Sequence, residues 1–134
     1  GIQLQVDPRS PLFGEEHMLP SGVLVTILGN LIENATESLN HSTRKQKEIH
    51  VSILENPDGL MLCVEDTGPA VDPAVLPHMF ENGVSTKGEQ RGTGLSIVKE
   101  LTDLYHGQIR VESHRGVGAA FYVTFHQAME EAKA

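Results

Sequence analysis

The chain has 134 residues, of which 39% are hydrophobic and 21% charged, and its formal net charge is −8. This length fits one domain with its own core, and the acidic balance argues against nucleic-acid binding, which needs a surplus of Lys and Arg. No apolar run approaches the ~20 residues of a membrane helix, so we expect no membrane contact by this domain. The single cysteine, Cys63, allows no internal disulfide and favours a reducing compartment.

The first half of the chain predicts a strand, a helix and a hairpin. Residues 2–6 alternate between apolar and polar side chains, which predicts a short strand. Over residues 21–39 apolar side chains recur at spacings of three and four, which predicts an amphipathic helix with Ser21 as its N-cap. Two alternating runs on either side of a turn at residues 56–59 predict a β-hairpin over residues 49–64.

The second half begins with an irregular segment and ends in a helix and a hairpin. Asp72-Pro73 predicts the start of a short helix, and residues 82–91 form a polar loop. A second long helix is predicted over residues 94–106, with Gly107 as its C′ residue, followed by a hairpin over residues 109–126. This order of elements predicts an α/β two-layer sandwich, in which a mixed sheet of about five strands carries helices on one face.

Asn30 and Asn34 lie in the middle of the first predicted helix. A spacing of four residues places their side chains on one face, one turn apart, with Glu37 close to that face. Asn is a weak helix former, so propensity does not account for the pair. Two amide oxygens can complete the shell of a Mg²⁺ ion held mostly by substrate phosphates and water. The alternative is that both are solvent-facing polar residues.

Asp66 and Gly68 directly follow an apolar predicted strand. A carboxylate at a strand end can accept a hydrogen bond from the exocyclic amine of adenine, whereas it would repel the carbonyl oxygen of guanine. A glycine beside it would let a flat base approach the backbone. The alternative is an ordinary turn that contains an aspartate.

Gly92 and Gly94 open the second long helix. Free backbone N–H groups and the positive end of the helix dipole make such a start a phosphate site, and the alternative is a helix start with glycine caps. The segment matches neither a P-loop nor the dinucleotide fingerprint. Lys87 and Arg91 are the cations of the preceding polar loop and could meet phosphates when it closes; the alternative is a solvated loop.

The order and spacing of these features closely resemble the ATP-binding domain of sensor histidine kinases. That domain has the Bergerat fold of the GHKL group, with DNA gyrase, the Hsp90 chaperones and MutL. Here Asn30–Leu39 resembles the N box, Asp66–Ala70 the G1 box, Pro77–Phe80 the F box and Gly92–Gly94 the G2 box. The start of the N box and a Gly-Val-Ser-Thr-Lys-Gly sequence in the loop most resemble the citrate- and C4-dicarboxylate-sensing kinases.

The resemblance implies a role for individual residues. Asn34 would be the Mg²⁺ ligand and Asn30 its helper, and both would form the catalytic group with Lys87. Asp66 would bind the adenine amino group, and Gly68 would make room beside it. The other residues expected to contact the nucleotide are Glu37, Ala70, Phe80, Ser85, Thr86, Gly88, Arg91, Gly92, Thr93, Gly94 and Leu95.

Two positions depart from the patterns of the group. The final glycine of the G1 pattern is Ala70 here, and because Ala lacks the easy positive φ of Gly, we expect weaker or altered nucleotide contact. Asn30 stands where the gyrase-like ATPases carry a water-activating glutamate. Asn cannot act as a general base at neutral pH, so hydrolysis of ATP should be slow.

The resemblance implies that the domain binds Mg-ATP and transfers its γ-phosphoryl to a histidine on a separate dimerisation domain, in two-component signal transduction. None of the seven histidines lies in a helical segment beside Glu or Asp, as a phosphate-accepting histidine would. The sequence also begins without Met, within a run of alternating apolar and polar residues. We therefore interpret residues 1–134 as a single catalytic domain cut from a longer kinase that contains the acceptor. No coiled-coil heptads occur, so the isolated domain is expected to be a monomer.

The implied partners are the acceptor-histidine domain and a response regulator. The implied location is the cytoplasmic side of a parent protein anchored in the inner membrane. Three alternatives remain: an ATPase of the gyrase class, an anti-sigma-factor serine kinase, or a degenerate module that binds nucleotide or a partner without catalysis.

Overall fold

Five strands and two helices make up the described part of the chain. The computed structural model describes residues 2–6, 19–40, 42–43, 45–56, 59–69, 92–114 and 117–126. The elements are β1 (Ile2–Val6), α1 (Ser21–Asn40), β2 (Lys47–Asn56), β3 (Gly59–Asp66), α2 (Gly92–Leu104), β4 (Gln108–His114) and β5 (Gly118–His126). The short helix predicted at Asp72-Pro73 and the polar loop 82–91 lie outside the described residues.

The strands form one sheet in the order β1-β2-β3-β5-β4. β1 runs parallel to β2, and the other three pairs are antiparallel, so the sheet is mixed. The two predicted hairpins are β2–β3 and β4–β5, and the pairing of β3 with β5 joins them. Both helices pack on one face, with α1 against β2, β3 and α2, and α2 also against β4. The predicted two-layer α/β sandwich is therefore confirmed.

Alternation along the strands and helical periodicity place the core between the two layers. Every second residue of the three inner strands is buried against the helices, which bury their own apolar faces in return. The main core residues are Leu24, Ile27, Leu31, Ala35, Leu39, Ile49, Val51, Ile53, Leu60, Leu62, Val64, Leu95, Val98, Phe121, Val123 and Phe125. Neither described helix has the length and apolar content that crossing a bilayer requires.

The start of α1 differs from the prediction by one residue. The backbone N–H groups of Val23 and Leu24 donate to the carbonyl of Pro20, at 3.0 and 3.1 Å. The residue whose carbonyl accepts the first helical bond is the N-cap, so Pro20 holds that position. The prediction that Ser21 is the N-cap is wrong, because Ser21 is already helical.

The C-terminal end of α2 is a Schellman motif. The N–H of His106 donates to the carbonyl of Asp103 at 3.1 Å, and the N–H of Gly107 donates to Thr102 at 2.7 Å. His106 therefore occupies C′, with φ of 62°, and the prediction that Gly107 is the C′ residue is wrong. A Cβ on Gly107 would lie 2.6 Å from the Phe125 ring, so this glycine is needed for close packing against β5.

Cys63 is buried on the side of the sheet opposite the helices. It alternates with the core residues Leu62 and Val64, pairs with Tyr122 of β5 and is 6% exposed. The Arg110 guanidinium lies 4.3 Å from the centre of the Tyr122 ring. Burial, with a smaller effect of the Glu65 charge, raises the pKa of the Cys63 thiol from 9.0 to about 11.

The raised pKa of Cys63 predicts a loss of stability in alkali. The folded state keeps the thiol proton up to pH of about 11, whereas the unfolded chain releases it near its ordinary value of 9.0. The contribution of Cys63 to the free energy of unfolding should therefore be constant below pH 9.0 and fall by about 1–3 kcal/mol as pH rises from there to the folded pKa of about 11. Urea unfolding between pH 8 and 11 measures this against Cys63→Ala, and the difference includes Tyr122, whose pKa is raised by burial and partly by Cys63. Parallel pH curves for the two proteins would contradict it.

Candidate nucleotide-binding site

Asp66 ends β3 on the face of the sheet that packs against the helices. Leu60, Leu62 and Val64 form a buried row on this face, and Asp66 continues the same row at 5% exposure. A carboxyl group placed among core residues is destabilising unless it is hydrogen-bonded. Here Oδ1 accepts a hydrogen bond from the N–H of Gly68 at 2.8 Å. A buried polar group at the end of an apolar row is the kind of exception that marks a binding position.

Thr67 fixes the turn that carries Asp66 and Gly68. Its N–H donates to the carbonyl of Glu48 at 3.2 Å, and its Oγ1 accepts from the N–H of Glu48 at 3.0 Å. The same hydroxyl donates to the carbonyl of Gln46 at 3.2 Å. Three hydrogen bonds, each worth about 0.5–1.5 kcal/mol net, therefore hold the turn against the start of β2.

Gly118 supports Asp66 from the opposite strand. β5 begins at this glycine, and its next residue, Ala119, is the partner of Asp66 in the β3–β5 register. Gly118 has φ of 137°, and a Cβ at this position would collide with the carbonyl oxygen of Asp66. Only glycine combines this backbone conformation with this contact. The end of β3 is thus set by β2 on one side and by β5 on the other.

Asn30 lies against the first turn of α2. Its Nδ2 donates to the carbonyl of Thr26 at 2.8 Å, one turn earlier in α1. Its Oδ1 lies 3.0 Å from the point that a Cβ on Gly94 would occupy, so the absence of a side chain at Gly94 lets the amide approach. The first N–H groups of a helix have no partner within the helix. The structure therefore brings the predicted Asn30 and Gly94 together at a helix N-terminus.

One face of α1 connects this helix terminus with Asp66. Asn34 and Glu37 are half-buried and follow Asn30 at helical spacing. Ser38 comes next on this face, and its Oγ lies 2.7 Å from the point that a Cβ on Gly68 would occupy. The helix rises by about 12 Å between Asn30 and Ser38. An elongated ligand could therefore contact Asp66 at one end of this face and the first turn of α2 at the other.

The structure describes only part of the predicted site. Gly92 and Thr93 are the first two residues of α2, and the side chain of Leu95 belongs to the core, so only its backbone is available to a ligand. The predicted residues outside the described part of the chain are Ala70, Phe80, Ser85, Thr86, Lys87, Gly88 and Arg91.

Three residues of this region were not among the predicted site residues. Ser38 follows Asn34 by four positions, so helical spacing could have placed it on the same face. Thr67 stands between two predicted residues, but its bonds to β2 depend on the folded pairing. Apart from the turn that contains Gly118, no local sequence pattern indicates that this glycine belongs to the site.

The side chains on α1 suit a magnesium ion that arrives with phosphates. Within the described ranges, no group of three or more His, Cys, Asp or Glu residues could hold a metal ion. The Asn30 Nδ2 donates to a backbone carbonyl, so Oδ1 is the atom that faces α2. Neutral amide oxygens from Asn30 and Asn34 fit an ion whose other ligands are phosphate oxygens and water.

Named sensor proteins are similar to nearly the whole chain. "Sensor protein CitS" of Halalkalibacterium halodurans is 38% identical over 133 residues, which cover 97% of this chain and 25% of that protein. "Sensor histidine kinase DcuS" of Escherichia coli strain K12 is 39% identical over 120 residues, covering 90% of this chain and 21% of that protein. The chain thus spans a quarter or less of the length of these relatives.

A solved structure and a family profile agree with this similarity. The structure described as "ShkA full-length in complex with AMPPNP" superimposes with a TM-score of 0.76 at 28% identity, covering 93% of this chain and 25% of that chain. The profile of the family described as "Histidine kinase-, DNA gyrase B-, and HSP90-like ATPase" matches residues 21–129, a range that includes every described element from α1 to β5. As the motifs predicted, the chain belongs to the family of histidine kinase-, DNA gyrase B- and HSP90-like ATPases.

Proposed function

We propose that the chain is the ATP-binding catalytic domain of a sensor histidine kinase. The observation that carries this proposal is the carboxyl group of Asp66, which continues a buried apolar row at 5% exposure and is fixed by the Gly68 N–H. A carboxyl group in this row departs from the apolar pattern of the core, and such a buried polar position is where a ligand-binding group is expected. An adenine base presents an exocyclic amine that a carboxyl oxygen accepts.

The nucleotide is proposed to lie along α1, with its base at Asp66 and its phosphates at the first turn of α2. The free N–H groups and the dipole of α2 favour negative charge there. Asn30 lies against this turn, and Asn34 follows it one helical turn later on the same face of α1. Mg²⁺, when bound with the nucleotide, would neutralise phosphate charge and be held partly by these amide oxygens.

The proposed reaction is transfer of the γ-phosphoryl to a histidine on a separate dimerisation domain. A ring nitrogen of the acceptor forms a bond to phosphorus while the bond to the bridging β,γ-oxygen breaks, and ADP leaves. Positioning and charge stabilisation supply most of the catalysis in phosphoryl transfer. The chain's own contribution is to hold the base at Asp66 and to align the phosphates at α2.

The wider setting of the proposal follows from the relatives. CitS and DcuS are named as sensors, so we place this chain in two-component signalling, as a cytoplasmic domain of a membrane-anchored protein. Its partners would be the acceptor domain of the parent kinase and a response regulator.

Phosphotransfer in trans tests the proposal. The chain is mixed with the acceptor-histidine domain of its parent protein and with Mg²⁺ and ATP labelled at the γ-phosphate. We expect label on the acceptor domain that survives base and is lost in acid, as a phosphohistidine is. A version of the acceptor domain whose histidine is replaced by Gln should remain unlabelled. Calorimetric titration with ADP and Mg²⁺ measures binding separately.

Four outcomes would each overturn the proposed reaction in a different direction. Acid-stable label would indicate a serine kinase, and rapid release of phosphate without labelling would indicate an ATPase of the gyrase class. ADP binding without any transfer would indicate a nucleotide-holding scaffold. No ADP binding at all would indicate a module that binds a partner protein.

A further inference from the structure

Ser38 and Asp66 present their side chains beside the same glycine. The Ser38 Oγ and the Asp66 Oδ1 lie 2.7 and 2.9 Å from the single point that a Cβ on Gly68 would occupy. Ser38 comes from α1 and Asp66 from β3, so the helix and the sheet each contribute one oxygen. The absence of a side chain at Gly68 lets these two oxygens approach each other at the turn, and Ser38 remains half-buried, so both groups can belong to one binding site.

The edge of adenine that carries the amine needs a second partner. The amine donates a hydrogen bond, and the adjacent ring nitrogen, N1, accepts one. Asp66 can accept from the amine, but a carboxylate has no proton to give to N1. A buried base whose N1 found no donor would lose affinity, because an unmade hydrogen bond in a pocket is costly.

The described residues of the turn, Thr67 to Pro69, offer no backbone donor to N1. The N–H of Thr67 is bonded to the Glu48 carbonyl at 3.2 Å, and the N–H of Gly68 is bonded to Asp66 at 2.8 Å. Pro69 has no N–H. The hydroxyl of Thr67 donates to the Gln46 carbonyl at 3.2 Å. Among the described residues at Gly68, the Ser38 hydroxyl is therefore the donor that remains to be considered.

We infer that the Ser38 hydroxyl donates a hydrogen bond to N1 of the adenine base, directly or through one water. Ser38 then donates a hydrogen bond to N1, and Asp66 accepts one from the neighbouring exocyclic amine. The inference rests on the proposed function, since it requires that adenine binds at Asp66. It adds a specificity-determining residue that lies on α1, opposite the turn.

A chemical double-mutant cycle isolates this contact. Wild type and Ser38→Ala are titrated calorimetrically with ADP and with 1-deaza-ADP, in which N1 is replaced by a C–H group. Ser38→Ala should weaken ADP binding about 3- to 10-fold and leave the weaker binding of 1-deaza-ADP unchanged. Ser38→Thr, which keeps the hydroxyl, should bind ADP within about twofold of wild type.

Matched controls separate this contact from folding and from the proposed function. Ala is a better helix former than Ser, so Ser38→Ala should not unfold α1. Ser52→Ala, on β2 of the sheet face opposite the helices, should leave ADP binding unchanged. An equal loss for both nucleotides, or no loss for ADP, would overturn the role of Ser38. Failure of the wild type to bind ADP would instead overturn the proposed function.

Discussion

Replacing Asp66 with Asn should weaken the binding of ADP by about 10- to 100-fold. The substitution keeps the size of the side chain, and its amide oxygen can still accept the Gly68 N–H that Asp66 Oδ1 accepts at 2.8 Å. The amide nitrogen then occupies the place of the second carboxyl oxygen. The amide NH2 group of Asn and the exocyclic amine of adenine would face each other there, both as donors, so the adenine loses its acceptor while the turn stays intact.

Glu65→Gln is the matched control for Asp66→Asn. Glu65 is the preceding carboxylate of β3 and is exposed, and strand alternation points it to the opposite face of the sheet. Glu65→Gln should leave ADP binding unchanged. In a parallel titration with GDP, Asp66→Asn should lose most of the preference for adenine over guanine. Calorimetry suits the measurement because the chain has no Trp. Unchanged ADP affinity in Asp66→Asn would place the base elsewhere.

The position of Asp66 could be predicted because local patterns determine it. Alternation of apolar residues along β3 fixes which face each side chain takes, and Asp66 stands at the first polar position of the buried row. In the same way, spacings of three and four residues placed Asn30 and Asn34 on one face of α1. These patterns depend only on neighbours within a few positions in the chain.

Contacts between distant segments explain what the sequence did not reveal. The sequence predicts Gly107 as the C′ residue because glycine favours that position. The Phe125 ring of β5 approaches Gly107 so closely that a glycine is required there, and this residue is one position after C′. His106 consequently takes the positive φ. The bonds of Thr67 to Glu48 and Gln46 join residues that are about 20 positions apart. No local pattern encodes such a contact.

The strand order explains why these distant contacts meet at the candidate site. β3 lies between β2 and β5, so the end of β3 has a neighbouring strand on each side. Thr67 binds the start of β2, and Gly118 at the start of β5 contacts the carbonyl of Asp66. The backbone that carries the carboxyl group is thus fixed on both sides, and the Gly68 N–H fixes the carboxyl group itself. A ligand group can meet it without further ordering of this turn, which favours binding.

Gly118→Ala should damage both stability and nucleotide binding. The new Cβ would meet the Asp66 carbonyl oxygen, and φ of 137° is a conformation that side chains rarely adopt. The free energy of unfolding should fall by about 2–4 kcal/mol, because strain and overpacking act together. Relief of the collision displaces the end of β3, so the fraction that remains folded should bind ADP at least about tenfold more weakly. Urea unfolding and calorimetry measure the two effects.

Gly29→Ala makes the same chemical change where no atom opposes it. Gly29 is an exposed residue inside α1, and a Cβ there would meet nothing within 4 Å. This control should raise the free energy of unfolding by up to about 1 kcal/mol, the gain expected when Ala replaces Gly in a helix, and leave ADP affinity unchanged. A lower free energy of unfolding in Gly118→Ala together with a higher one in Gly29→Ala would show that contact with Asp66 makes Gly118 necessary. Equal stability and equal ADP affinity in Gly118→Ala and wild type would show that Asp66 does not depend on β5.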